Sequence, residues 1–267
     1  MTSESLELNG TRLYVEDTGP GSTGQTIAFS HGLLWSTELF APQIAALRGR
    51  YRCIAWDHRG QGRSAADRRH CIGIELVTQD AIALLEHVAA GPVHLAGLSM
   101  GGFVAMRIAA RRPELVRSLI LMETSADPEP DENAPRYRLL ATTSRMIGLR
   151  PIVKRVLPIM LGKTVLADPS RKADVAGFAK IMTARKDAWR ATNGVIDRAG
   201  CADELGRIRT PTLVIVGDED VATVPAKARR LAAEIAGAKL VEIAGAGHSS
   251  TVEQPAKVTA AIEEFLQ

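Results

Sequence analysis

Val93 to Ala110, VHLAGLSMGGFVAMRIAA, decides the reading of this chain. VHLA is a short apolar run with strand character, and Phe103 to Ala110 is small and apolar, as a helix packed on a sheet must be. Between them stands Gly97-Leu98-Ser99-Met100-Gly101. A G-x-S-x-G pattern recurs by chance in many chains. Between a strand and a helix it reads as a sharp turn that lifts a serine hydroxyl above the sheet edge. Positions two before and two after the serine must be small for the turn to close. The helix N-terminus behind it favours developing negative charge.

The same rhythm extends in both directions. Upstream, Arg12 to Glu16 alternates as a strand between turn signals at Asn9-Gly10 and Thr18 to Gly21. Thr26 to Ser30 and Arg52 to Trp56 are short apolar runs bounded by loops, with Leu39, Ile44 and Leu47 near a helical period between them. Leu76 to Val88 has helical spacing, and Leu119 to Met122 is a further strand. After Pro211, TLVIV (Thr212 to Val216) and LVEI (Leu240 to Ile243) alternate with helical stretches at Ala226 to Ile235 and Val258 to Leu266. Strands alternating with helices predict an α/β fold with a mostly parallel central sheet and helices on both faces. Residues 125–208 break the rhythm. They hold no clear strand, and Pro151, Pro158 and Pro169 divide them into short helices. The expected organisation is a core of residues 1–124 and 209–267 with a helical lid inserted at 125–208.

Composition excludes several classes. With 46% apolar and 24% charged residues over 267 positions, the chain is a folded protein and not a disordered one. The net charge of +3 is too small to indicate nucleic acid. No apolar run approaches the ~20 residues that span a bilayer, and Met1 to Asn9 has no basic residue and does not read as a secretory signal. A cytoplasmic protein is expected. Cys53, Cys71 and Cys201 are odd in number and lack metal or redox spacing, so they are expected as free buried thiols. No metal site and no cofactor is implied. Nothing in the chain indicates an oligomeric state. Charge is uneven: Arg145 to Arg190 holds 11 Lys or Arg against Asp168, Asp174 and Asp187, just after an acidic cluster at Asp127, Glu129, Asp131 and Glu132. Solvated helix faces explain this surplus; attraction of an anionic substrate is the alternative.

A serine hydroxyl is a weak nucleophile and needs a base. Of six histidines, His248 lies in a loop beyond the strand LVEI, while His31 and His58 occupy two other such loops. The base needs an orienting carboxylate. Asp218, Glu219 and Asp220 crowd the turn after TLVIV, and Glu123 and Asp127 follow Leu119 to Met122, so the residues alone leave the acid open.

From about Leu8 to Leu266 the chain resembles the α/β-hydrolase superfamily, and its N-terminal half is most similar to the 3-oxoadipate enol-lactonase and small-esterase group. The family order of nucleophile, acid and base is matched by Ser99, Asp220 and His248, with Gly217-Asp218-Glu219-Asp220 and Pro225 matching the acid turn and selecting Asp220. His31-Gly32-Leu33 matches the family's H-G-x turn, which implies an oxyanion hole from the backbone N–H groups of Leu33 and Met100. Asp57 to Ser64 (DHRGQGRS) matches a turn that is structural in the family, so Asp57 and Arg59 are expected to lock a loop.

The resemblance implies a serine hydrolase that cleaves a small carboxylic ester or lactone through an acyl-enzyme. A serine where haloalkane dehalogenase-like and epoxide hydrolase-like members carry aspartate argues against an alkyl-enzyme. Alternatives on the same triad are a cofactor-free haloperoxidase or perhydrolase and a carbon–carbon bond hydrolase; the non-enzyme alternative is a triad-bearing ligand receptor. Expected pocket residues are Trp35, after the oxyanion loop; Trp189, on the lid; and Val221 and Ser249, beside the acid and the base. Met160 and Met182 are expected to pack in the core of the lid.

Overall fold

The computed structural model describes all residues, 1–267. Eight strands form one sheet: β1 (Thr2–Leu8), β2 (Thr11–Asp17), β3 (Thr26–Ser30), β4 (Arg52–Trp56), β5 (Val93–Leu98), β6 (Val116–Met122), β7 (Thr212–Gly217) and β8 (Lys239–Ile243). Their order is β1-β2-β4-β3-β5-β6-β7-β8, antiparallel only at β1–β2 and β2–β4. The strand β1 was not anticipated. Its polar sequence, TSESLEL, leaves only Leu6 and Leu8 as an apolar alternation, and its first four residues are exposed on a sheet edge.

The helices are α1 (Ala41–Leu47), α2 (Ile74–Val88), α3 (Met100–Arg111), α4 (Ala134–Ile147), α5 (Val153–Met160), α6 (Lys163–Ala167), α7 (Lys172–Met182), α8 (Trp189–Ile196), α9 (Pro225–Glu234), α10 (Ser250–Glu253) and α11 (Pro255–Phe265). None is long and apolar enough to cross a membrane.

The two faces of the sheet follow from the two-residue repeat of a strand. Val214 and Val216 of β7 point into one core with Leu84 of α2, Val104 of α3 and Leu231 of α9. Leu213 and Ile215, one residue out of phase, point into the other with Ile44 of α1 and Ile262 of α11. Both faces are covered, so the central strands are apolar throughout: β5 and β7 have no exposed residue.

Helices α4 to α8 lie between β6 and β7 in the chain, and Val156, Met160 and Met182 join the second core. Pro158 does not divide two helices as expected; it lies inside α5, whose last residue is Met160. Near a helix C-terminus the missing N–H removes one bond, and the chain leaves the helix two residues later. Cys53 and Cys201 are buried free thiols, but Cys71 is only partly covered.

Candidate active site

The turn after β5 is as tight as its glycines require. A Cβ on Gly97 would stand 2.4 Å from the Gly101 carbonyl oxygen, and one on Gly101 would stand 1.9 Å from the Ser30 carbonyl oxygen. Ser99 has φ +53° and ψ −113°, outside the regions that non-glycine residues ordinarily occupy. The conformation is held by hydrogen bonds on both sides of the serine. Its N–H donates to the Met122 carbonyl (2.9 Å), and its carbonyl accepts from Thr124 Oγ1 (2.9 Å) and from the Phe103 N–H (3.0 Å).

Three side chains from three loops meet here. Ser99 Oγ lies 2.8 Å from His248 Nε2, and His248 Nδ1 lies 2.9 Å from Asp220 Oδ2. A carboxylate only accepts, so Nδ1 carries the imidazole proton and Nε2 is free to accept from the serine. Asp220 is saturated: Oδ1 accepts from the Ala222 and Thr223 N–H groups (2.8 and 3.0 Å), and Oδ2 also accepts from Thr223 Oγ1 (2.7 Å). Burial pushes the Asp220 carboxyl upward, but His248 and the Thr223 hydroxyl outweigh it and hold the group below its ordinary range.

The rivals for the acid take other places. Asp218 accepts from the Gly245 N–H (2.8 Å), and Glu219 accepts from Thr164 N and Oγ1 (2.8 and 2.6 Å), tying α6 to the core. Asp127 pairs with Arg230 (2.7 Å). Glu123 is fully buried with φ +43°; its Oε1 accepts from the Gly217 N–H (3.2 Å), and its Oε2 has no partner. Burial drives its carboxyl well above the ordinary range, and the neighbouring Asp220 and Glu253 add to this.

The other loop histidines are structural. His31 Nδ1 donates to the Gly32 carbonyl (2.7 Å), and its Nε2 accepts from the His58 N–H (3.0 Å). His58 accepts a hydrogen bond at Nδ1 from Trp56 Nε1 (3.3 Å) and donates from Nε2 to Ser30 Oγ (3.0 Å). Burial lowers the pKa of both rings, so they stay neutral. Asp57 fixes its loop by accepting from the N–H groups of Thr37 and Arg63 (2.7 Å each). Arg59 makes a buried pair with Asp80 (2.6 Å) and reaches Asp67 (3.1 Å). Both act as loop locks.

Gly32 packs beside the serine: a Cβ there would stand 3.5 Å from Ser99 Cβ. The N–H of the next residue, Leu33, donates to nothing in the protein; Leu33 lines the same cavity as Ser99, and Met100 follows the serine at the start of α3.

A cavity of about 110 Å³ opens on Ser99 and His248. Of the expected pocket residues, Trp35, Trp189, Val221 and Ser249, none lines it. Trp35 is buried, packs edge-on against Phe178 of α7 (5.6 Å between centroids) and donates from Nε1 to Ser249 Oγ (3.2 Å). Ser249 Oγ itself donates to the Met160 carbonyl (2.7 Å), so both residues fasten α5 and α7 to the core. Val221 points outward, 61% exposed. Trp189 lies against His70, with Arg145 and Arg190 over its ring at 4.9 and 4.4 Å. Adjacency in sequence placed three of these and membership of the helical segment placed Trp189; the direction of each side chain sends them elsewhere. Met160 is buried as expected and also lines the cavity. The walls come mainly from positions the sequence did not single out, among them Leu34, Tyr137, Leu149, Val156 and Arg198. Proline spacing predicted short helices here without showing which of their side chains face the site. Glu129 carried no signal beyond membership of the acidic cluster, and Arg198 carried none.

Glu253 is a second residue the sequence did not mark. It is 1% exposed, and its Oε1 accepts from the N–H groups of Gly247 and Ser249 (3.1 and 2.9 Å), on both sides of His248. Its Oε2 accepts from the Gly162 N–H (2.7 Å) in the loop before α6.

Residues 27–262 match the model of the alpha/beta hydrolase family, and the chain belongs to that family. It is 29% identical over 256 residues to the Rhizobium rhizogenes protein named "Putative carbamate hydrolase RutD", covering 91% of this chain and 93% of that one. Among solved structures it is similar to a thermophilic esterase from Thermogutta terrifontis, with 27% identity, a TM-score of 0.90, and coverage of 100% of this chain and 98% of that one. It is similar also to the enol-lactonase from Burkholderia xenovorans LB400, with 28% identity, a TM-score of 0.89, and coverage of 98% and 99%.

Proposed function

We propose that this member of the alpha/beta hydrolase family cleaves a small carboxylic ester or lactone through an acyl-enzyme formed on Ser99. One observation carries the reading: the hydrogen-bonded chain from Ser99 Oγ through His248 to Asp220, ending in a largely apolar cavity. In this mechanism Ser99 Oγ attacks the carbonyl carbon while His248 Nε2 takes the hydroxyl proton. Asp220, already saturated with hydrogen bonds, holds the ring and stabilises the imidazolium. The oxyanion forms against the N–H groups of Leu33 and Met100, each worth about 3–4 kcal/mol to the transition state in sites of this kind. His248 returns its proton to the leaving alkoxide. Water then attacks the acyl-enzyme, His248 takes the water's proton, and the acid departs as Ser99 regains its hydrogen. The same residues acting on a carbamate would form a carbamoyl-serine by the same steps. The esterase and enol-lactonase similarities favour the ester or lactone. We read residues 125–208 as the lid of this site, since α4 and α5 supply much of the cavity wall.

Hydrolysis of p-nitrophenyl esters from acetate to decanoate, together with simple lactones, tests the proposal in wild type and Ser99→Ala. A cavity of about 110 Å³ is smaller than the ~150 Å³ voids that hold a benzene ring, so the optimum is expected among the shortest acyl chains. Ser99→Ala is expected to lower kcat by about 10^6-fold. Retention of most of the activity by that variant would refute the assignment.

A further inference from the structure

The wall of the cavity carries an ion pair. Arg198, in the loop after α8, and Glu129, in the loop after β6, both line the cavity, and their side chains are 2% and 9% exposed. Arg198 is held from behind. Its Nε donates to the Asp127 carbonyl (3.2 Å), its Nη1 donates to Glu129 Oε2 and to the Val195 carbonyl (2.7 Å each), and its guanidinium lies 4.3 Å over the Phe103 ring. Phe103 donates its N–H to the Ser99 carbonyl, so the ring beneath Arg198 belongs to the residue one helical turn after the serine, and Arg198 and Ser99 line the same cavity.

Two atoms of this pair are left over. Arg198 Nη2 and Glu129 Oε1 make no hydrogen bond in the protein, yet neither is among its sealed, unpartnered polar atoms. Both residues line the cavity and both atoms keep accessible surface, so the pair has one unused donor and one unused acceptor available to the cavity's contents. An apolar wall needs no such pair, because an incompletely bonded ion pair next to an empty or hydrocarbon-filled space is costly.

We infer that Arg198 and Glu129 form a specificity subsite that selects esters or lactones carrying, within a few bonds of the scissile carbonyl, a group that both accepts and donates a hydrogen bond: a secondary amide or a hydroxyl. The inference rests on the acyl-transfer reading for the scissile bond. The acceptor oxygen of the group takes a hydrogen from Arg198 Nη2, and its N–H or O–H gives one to Glu129 Oε1. A carboxylate satisfies only the first half. It meets the Glu129 charge at the second, and the Arg198 charge is already neutralised by its partner. None of the 11 cations between Arg145 and Arg190 lines the cavity to offset that repulsion. A methyl group satisfies neither.

The test uses p-nitrophenyl acyl esters of matched length whose chain carries a methylene pair, an amide, a hydroxyl or a carboxylate, with wild type, Glu129→Gln and Ser99→Ala. Glu129→Gln keeps the shape. Its amide oxygen can still accept from Arg198 Nη1, which turns its NH₂ toward the cavity and makes the subsite donor-only. In wild type the amide and hydroxyl esters should exceed the hydrocarbon ester in kcat/KM by roughly tenfold, the scale of one or two buried hydrogen bonds, and the carboxylate ester should be the poorest. In Glu129→Gln, with each ester compared with the hydrocarbon ester of the same variant, the amide and hydroxyl advantage should fall to about threefold or less, and the carboxylate ester should rise by roughly tenfold or more. Titration calorimetry of the same esters with Ser99→Ala reads the subsite without turnover and should give the same order of Kd. Equal Kd for amide and hydrocarbon partners, or an order unchanged by Glu129→Gln added to Ser99→Ala, would overturn the subsite whatever the kinetics. Ser99-independent hydrolysis would instead overturn the acyl-enzyme reading and leave the binding comparison to stand or fall by itself.

Discussion

Gly101→Ala adds one methyl group at the tightest point of the turn behind Ser99. Its Cβ would stand 1.9 Å from the Ser30 carbonyl oxygen and 2.5 Å from the Ser30 carbonyl carbon. A carbon and a carbonyl oxygen ordinarily approach no closer than ~3.3 Å, so one of them must move by about 1.4 Å. Ser30 cannot give way alone. It ends β3, is paired in register with Trp56 on one side and Gly97 on the other, and its Oγ is bonded to His58. Overpacking of this kind costs about 1–3 kcal/mol or more, which for a chain of this size is a Tm loss of roughly 2–12 °C. The strand end leads directly into His31-Gly32-Leu33, so the displacement also moves the Leu33 N–H; a shift near 1 Å is expected to lower kcat/KM by about 10²-fold. The matched control is Gly177→Ala, on an exposed position of α7 with nothing within 4 Å of the new methyl. There the same substitution should stabilise by about 0.5–1 kcal/mol and leave kinetics alone. Thermal unfolding and p-nitrophenyl ester hydrolysis of both variants settle the matter. If Gly101→Ala matches Gly177→Ala in Tm and in kcat/KM, the turn is not tight, and the argument from its geometry fails.

Glu123→Gln removes a buried carboxyl whose pKa is raised in the fold, so between its ordinary value and its folded value the unfolded chain binds fewer protons and stability falls as pH rises. The variant should gain Tm relative to wild type at pH 8 and gain less at pH 5; a difference independent of pH would show that Glu123 is not held neutral. Glu253→Gln places an NH₂ against one of three backbone donors around His248. It should cost about 1.5–3 kcal/mol in a denaturant titration and lower kcat more than it raises KM, whereas unchanged kcat would mean the loop holds His248 unaided. Because no cation between Arg145 and Arg190 lines the cavity, added salt should change kcat/KM for anionic and neutral esters by factors that agree within about twofold; a selective fall for the anionic ester would establish steering by the helical segment.

The sheet was legible where the chain must bury both faces of a strand. LVIV and LILM leave no polar residue to misread, and both lie in interior strands of the sheet. The polar edge strand β1 was not legible, because half of its surface faces water and its apolar signal is two leucines. Ser99 and His248 were legible as residues in loops after strands, which parallel strands bring to one sheet edge, whereas Asp220 stood out from Asp218, Glu219, Glu123 and Asp127 only through the resemblance of its turn to the family's. The cavity wall was not legible. Trp35 and Ser249 neighbour the site in sequence, yet they point into the contact with α5 and α7, while Arg198 enters from a loop distant in sequence from all three. A side chain's bearing in a helical segment depends on the tilt of helices against a surface, and spacing alone does not record it.

The helical segment closes on itself at the core: the Cys201 N–H, at its return, donates to the Ala126 carbonyl, at its departure (2.7 Å). Its two ends therefore lie side by side. The entropy of closing such an excursion grows only with the logarithm of its length, so doubling it costs about 0.6 kcal/mol. Ser99, Asp220 and His248 all lie outside it. Over descent, one contiguous stretch can be lengthened, shortened or exchanged, replacing most of the wall that meets a substrate, while the reacting groups and the strands that carry them inherit no change. The constraint on such exchange is local: whatever replaces the stretch must still bring backbone N–H groups to Glu253 and Glu219, the two carboxylates on which the present one is moored.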